Sequence, residues 1–163
     1  MKRIYFARHA KSSWEHPELS DAMRPLIDTG WKRTEKVIKY LREQKVKPEV
    51  FISSHAVRAH ETAKLLAAGL DFPPGNIKID KRLYFNGSNE FFDVVYELPD
   101  NVSSVILVSH NPDITNISNH FLHERIDYLP TSGVIGFVFD TGKWTEIDLV
   151  ERKLEIMAIP KLL

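Results

Sequence analysis

Four times along the chain a short apolar run gives way to a segment whose apolar residues recur at helical spacing. The strand-like runs are Lys2 to Ala7, Val50 to Ile52, a short piece within Ile77 to Leu83, and Ser104 to Val108. The first helix is expected over Asp28 to Gln44, with Trp31, Thr34, Val37, Ile38 and Leu41 on one side. A second starts from a Ser53 or Ser54 cap and runs to about Leu70, with Ala59, Ala63, Leu66 and Leu70 on one face. Phe91, Phe92, Val95 and Leu98 mark a third, which stops at Pro99. Asn111 caps a fourth, with Pro112 in its first turn and an apolar stripe of Ile114, Ile117 and Phe121. Val134 to Phe139 and Lys143 to Leu149 read as a hairpin around Thr141-Gly142, and Leu154 to Ile159 as an edge strand. Alternation of this kind predicts a three-layer α/β/α sandwich with a mostly parallel central sheet. The apolar, β-branched Ser104 to Val108 run fits a strand covered on both faces. With 163 residues and no linker or repeat, residues 1–163 read as a single domain.

Lys plus Arg and Asp plus Glu each total 22, so the chain lacks the basic excess of a nucleic-acid or membrane-surface binder, though local basic pockets are compatible with the balance. The absence of cysteine excludes disulfides, thiolate metal sites and cysteine nucleophiles. No apolar stretch approaches transmembrane length and no signal-peptide segment follows Lys2 and Arg3, so a cytoplasmic protein is expected.

In an open α/β sheet, ligands bind beyond the carboxyl ends of the strands. The residues there are Arg8 and His9 after the first strand, Ser53, Ser54 and then Arg58 after the second, and Ser109 and His110 after the fourth. Two arginines, two histidines and two helix N-termini thus converge on one edge. Helix N-termini attract anions, and the planar fork of arginine matches phosphate oxygens. A neutral imidazole at a strand end is a competent nucleophile toward phosphorus, given one ring nitrogen free and the other pinned, here by a carbonyl of the Ala10 to Ser13 loop. Arg8, Arg58 and His110 would then neutralise the non-bridging oxygens. No metal is required, and no carboxylate cluster suited to magnesium is evident.

These residues resemble a family. Arg8-His9, Arg58 within Ser53-Ser54-His55-Ala56-Val57-Arg58, and Ser109-His110-Asn111-Pro112 look like the histidine phosphatase (phosphoglycerate-mutase-like) superfamily. Asp21-Ala22-Met23-Arg24-Pro25-Leu26, with Gly30 after it, resembles the D-x-x-R-P-L segment of the small SixA-like phosphohistidine phosphatases, and Arg82-Leu83-Tyr84 resembles their third strand. The likeness extends to about Asp148. It implies the phosphoglycerate-mutase-like fold and no cofactor. It also implies that His9 takes the phosphoryl group, that Arg8 and Arg58 bind phosphate, and that His110 completes the pocket. Arg24, Asn111 and Ser12 are added as substrate contacts. For Arg24, a loop clamp paired to Asp21 or Asp28 is an equal alternative.

Larger members supply a carboxylic general acid near the third strand. Here that region reads Tyr84-Phe85-Asn86-Gly87, without an acid. An alkoxide leaving group needs a proton, whereas an imidazole nitrogen is readily protonated near neutral pH. The expected reaction is therefore hydrolysis of phosphohistidine, as on a histidine-containing phosphotransfer protein. A phosphatase of small phosphometabolites and a non-catalytic phosphohistidine-binding module are the alternatives. His55 and His60, five apart, and His120 and His123, three apart without an accompanying motif, are not expected to hold metal.

Overall fold

The computed structural model describes residues 1–163. Six strands form one sheet: β1 (Lys2–Arg8), β2 (Val50–Ser53), β3 (Lys78–Ile79), β4 (Ser104–Ser109), β5 (Val134–Phe139) and β6 (Arg152–Ala158). Their order across the sheet is β3-β2-β4-β1-β5-β6. The pairings among β3, β2, β4 and β1 are parallel, and β5 and β6 join antiparallel. The four helices are α1 (Asp28–Glu43), α2 (Val57–Gly69), α3 (Glu90–Tyr96) and α4 (Asp113–Phe121).

Alternate side chains of the central strands divide between two cores, because successive residues of a strand point to opposite faces. Ile4 and Phe6 of β1 join Val105 and Leu107 of β4 in a core roofed by Phe91, Val94, Ile117 and Phe121 of α3 and α4. Tyr5 and Ala7 join Ile106 and Val108 in the other, roofed by Val37 and Leu41 of α1 and the alanine-rich face of α2. This is the three-layer sandwich expected, and all six residues of β4 are buried.

Three local expectations are corrected. Lys143 to Leu149 is not a strand: it holds a 3₁₀ turn at Trp144–Glu146, and β5 pairs with β6 instead. Trp144 is fully buried there, its indole N–H donating to the Val102 carbonyl at 3.0 Å with the Lys2 ammonium 5.1 Å from the ring. Burial of the indole against the Pro99–Val102 turn outweighs the local turn signal. The third strand is the short piece expected within Ile77 to Leu83, two residues long and followed by a 3₁₀ turn over Lys81–Leu83. Neither Ser53 nor Ser54 caps α2; Ala56 occupies that position. Nor does Asn111 cap α4, which begins at Asp113 behind Pro112. Ser54 and Asn111 are drawn away by tertiary partners, and Ser53 donates to the Ser54 carbonyl.

The connections from β1 and β4 leave the sheet in opposite directions, since β1 leads on to β2 and β4 leads on to β5. A crevice therefore opens beyond their carboxyl ends. Arg8 and Ser109 are register partners at the ends of β1 and β4. The next residue of each strand is a histidine.

Candidate active site

His9 and His110 face each other with ring centroids 5.1 Å apart. Both are nearly inaccessible to solvent, at 7% and 1% exposure. The Nδ1 of His9 lies 2.7 Å from the carbonyl oxygen of Ala10. A carbonyl can only accept, so Nδ1 carries the ring proton and Nε2 presents a lone pair. The Nε–H of Arg58 points at that lone pair from 3.4 Å. Burial, reinforced by the guanidinium groups of Arg58, Arg8 and Arg24, pushes the His9 pKa down to about 3. The ring is neutral at physiological pH.

The loop after His9 is fastened on several sides. The Ala10 N–H donates to Thr62 Oγ1 at 2.8 Å, and that hydroxyl donates to the Arg58 carbonyl at 2.7 Å. The Ser13 N–H donates to the Pro25 carbonyl and the Ile27 N–H to the Lys11 carbonyl. Gly30, in the first turn of α1, lies so close that a Cβ there would meet the Lys11 carbonyl oxygen at 2.6 Å. The nucleophile-like imidazole thus sits in a frame made by β1, α1 and α2.

Arg58 enters from the start of α2 with 1% of its surface exposed. Its Nη1 donates to the Asp21 carbonyl at 2.7 Å and its Nη2 to Asp21 Oδ2 at 2.9 Å. The Tyr84 hydroxyl donates to the same oxygen at 2.5 Å. Partial burial alone would raise the Asp21 pKa. The hydrogen bonds from Tyr84 and Arg58 and the charges of Arg58 and Arg24 overcome that and bring it down to about 2. Asp21 is therefore a fixed anion.

Ser54 explains the missing cap of α2. Its Oγ accepts the Ala56 N–H at 3.1 Å and lies 2.7 Å from His110 Nε2. His110 Nδ1 is buried with no protein partner. Burial, together with the neighbouring His9 and Arg58, pushes the His110 pKa down to about 2. Arg8 donates from Nη1 to the Leu129 carbonyl at 3.1 Å, while its Nε is buried without a partner.

Arg8, His9, Arg58 and His110 all line one cavity of about 420 Å³. Arg24, Ser12 and Asn111 line it too. Arg24 makes the foreseen clamp to Asp21 and also lines the cavity. It pairs with Asp21 at 3.2 Å and holds Ser12 Oγ at 2.9 Å, on the cavity wall, with the Trp14 ring stacked 3.6 Å from its guanidinium carbon. Asn111 donates from Nδ2 to the Leu129 carbonyl at 3.0 Å and accepts from Thr115, which is why it does not cap α4.

Asp21 is a member of this cavity that reading the sequence identified only as a partner for Arg24. Its place in the D-x-x-R-P-L segment was the available signal. Phe85 was not singled out either. It has a φ of 54° and its ring lies 4.9 Å from that of His110. It lies half exposed on the cavity rim, and sequence alone gives no sign of its left-handed backbone. Asn86 bonds back to the Lys81 and Tyr84 carbonyls at 2.9 and 3.0 Å.

The sequence profile of the histidine phosphatase superfamily (branch 1) matches residues 4–84. An uncharacterized protein of Mycobacterium leprae is 27% identical over 94% of this chain and 99% of its own. Among solved structures, an Agrobacterium tumefaciens protein assigned as phosphohistidine phosphatase SixA superposes with a TM-score of 0.80 at 22% identity, over 96% of both chains. The protein histidine phosphatase SixA complexed with tungstate gives 0.77 at 21% identity, over 98% of both. A mycobacterial glucosyl-3-phosphoglycerate phosphatase, aligned over 97% of this chain and 99% of its own, gives 0.66 at 13%.

Proposed function

We propose that this chain, which belongs to the histidine phosphatase superfamily, hydrolyses phosphohistidine on a protein through a phosphoryl intermediate on His9. Residues 1–163 act as one catalytic domain on this reading, and a cytoplasmic setting belongs to the same proposal. The observation that carries it is the His9 tautomer: Nδ1–H is given to the Ala10 carbonyl, and the Nε2 lone pair faces a cavity shared with Arg8, Arg58 and His110.

Nε2 attacks phosphorus, the bond from phosphorus to the substrate's imidazole nitrogen breaks, and the departing nitrogen takes a proton from solvent. Water then attacks the phosphorus on His9, releasing inorganic phosphate and returning the neutral imidazole. Arg8 and Arg58 hold the equatorial oxygens. Ser54 Oγ is already an acceptor from Ala56, so its hydroxyl proton is free for His110 Nε2. In that tautomer the unpartnered His110 Nδ1 is an N–H donor to a phosphoryl oxygen. These donors are in place before the substrate arrives, so little reorganisation is spent at the transition state.

The leaving group follows from the carboxylate. Asp21, held ionised by Arg58 and Tyr84, has no proton to give an alkoxide at neutral pH. Asn86 stands where larger relatives are expected to carry an acid, and its amide is turned back to the backbone. An imidazole leaving group has no need of such an acid.

Rates compared on a phosphohistidine protein, a phosphoserine peptide and an aryl phosphate test this reading. Turnover of the first and third with little of the second is expected, with phosphoryl label trapped on His9. Efficient phosphoserine hydrolysis would overturn the leaving-group argument. Label on any residue other than His9 would overturn the mechanism.

A further inference from the structure

Beside the catalytic cavity lies a second hollow of about 230 Å³, and the two share Arg8, Arg33 and Thr131. Arg33 comes from α1, Tyr128 and Thr131 from the segment before β5, and Lys161 from the turn that follows β6. Three cations line this hollow and no carboxylate does. In a chain with as many acids as bases, compensation was available. Asp21 compensates Arg58 and Arg24 on the opposite wall, yet none of Arg8, Arg33, Lys161 or the nearby Lys11 forms an ion pair with any acid. Lone surface lysines and arginines are commonplace and solvated. These are gathered in a concavity adjoining the phosphoryl site, and the Arg8 Nε beside it is buried and unpartnered.

We propose that this hollow is a second anion subsite, taking a carboxylate or phosphate carried by the same substrate whose phosphoryl group lies against His9. The inference rests on the reading of the first cavity as the phosphoryl site and adds the chemistry of what accompanies it. Arg33 and Lys161 supply the charge, and Arg8 stands between the two anions. Two anions joined by a spacer of the right length bind as one ligand, the second event gaining from the effective concentration set by the first. For a protein substrate the second anion is an aspartate or glutamate near the phosphohistidine. For a small molecule it is a second acidic group.

The test is competition against aryl phosphate turnover, comparing methylphosphonate with phosphonocarboxylates of graded chain length. At the best spacer the bifunctional anion should bind roughly tenfold or more tighter than methylphosphonate. Arg33→Gln and Lys161→Gln should each bring that ratio close to one, and Lys161→Glu below it. Both side chains are exposed, and matching melting curves establish that the variants fold. Equal affinity at every spacer, or a preference that survives all three substitutions, overturns the subsite. Calorimetric titration with the same anions reads the ratio without turnover, so a failure of catalysis is distinguishable from a failure of the subsite. Phosphohistidine peptides with acidic neighbours, compared with their amide counterparts, identify the source. A loss in the amide forms assigns the second anion to a polypeptide, whereas a preference confined to the small bifunctional anions assigns it to a metabolite. Either result supports the subsite.

Discussion

The two walls of the cavity differ in how their charge is satisfied. On one wall Arg58 spends both terminal nitrogens on Asp21, Asp21 accepts from Tyr84, and Arg24 locks the same carboxylate to Ser12. On the other, Arg8 makes one bond to a carbonyl and Arg33 has no acidic partner, nor has Lys161 in the adjoining hollow. A cation that must keep one position at the moment of reaction gains from a fixed counterion, because a guanidinium 1% exposed is costly to leave without hydrogen-bonded company. A cation that must attract an incoming anion gains from having none, because any internal partner would have to be displaced. The molecule uses both arrangements within one cleft.

His9→Ala makes the largest break, since it removes the proposed nucleophile that both walls serve. Turnover should fall by about 10⁴-fold or more, with phosphate binding retained on Arg8 and Arg58; steady-state rates and phosphate titration check the two halves. Next comes acid. His9 at about 3 and His110 at about 2 lie below the ordinary histidine range in the folded chain, so the unfolded chain takes up protons first as pH falls through about 6.5. Stability is full above that pH and declines toward pH 3, by about 2 kcal/mol per imidazole at pH 5. Denaturant titrations at pH 7 and 5 measure the loss, and flat histidine proton shifts between those values by NMR locate it.

Gly30→Ala tests the frame beneath both walls. A methyl 2.6 Å from the Lys11 carbonyl must push α1 or the loop after His9 aside, at a cost of about 1–3 kcal/mol seen in thermal or denaturant unfolding. Asp21→Asn sharpens the contrast itself by turning the compensated wall into an uncompensated one. Phosphate should then bind more tightly while kcat falls about tenfold, as Arg58 keeps its charge and loses its fixed position. Weaker phosphate binding would instead make Asp21 a mere structural post. Tyr84→Phe, which removes one donor from a carboxylate that keeps two guanidinium partners, should change kcat by only a few-fold.

Much of this was legible before any coordinates. The alternation of periodicities carries the three-layer architecture, because a strand covered on both faces, such as Ser104 to Val108, and helices with one apolar stripe have few other ways to bury themselves. Arg8, His9, Arg58 and His110 were visible because each follows a strand end, and parallel strands deliver their carboxyl ends to one edge. The carbonyl that pins His9 Nδ1 was expected in the Ala10 to Ser13 loop, and it is that of Ala10. The helix caps misled for a related reason. Ser54 and Asn111 are good capping residues by local rules, yet one is bonded to His110 and the other to Leu129.

What the sequence determined by itself, then, was everything set by local periodicity and by position relative to a strand: the layers, the sheet, and the edge on which the basic residues meet. Only the tertiary structure decided how those residues are paired. Whether Asp21 serves Arg24, Arg58 or both, whether Phe85 meets His110, and whether Arg33 and Lys161 share a hollow with Arg8 depend on segments far apart in the chain coming within a few ångströms. Electrostatic and hydrogen-bond strengths change steeply over such distances, and spacing along the chain carries no measure of them.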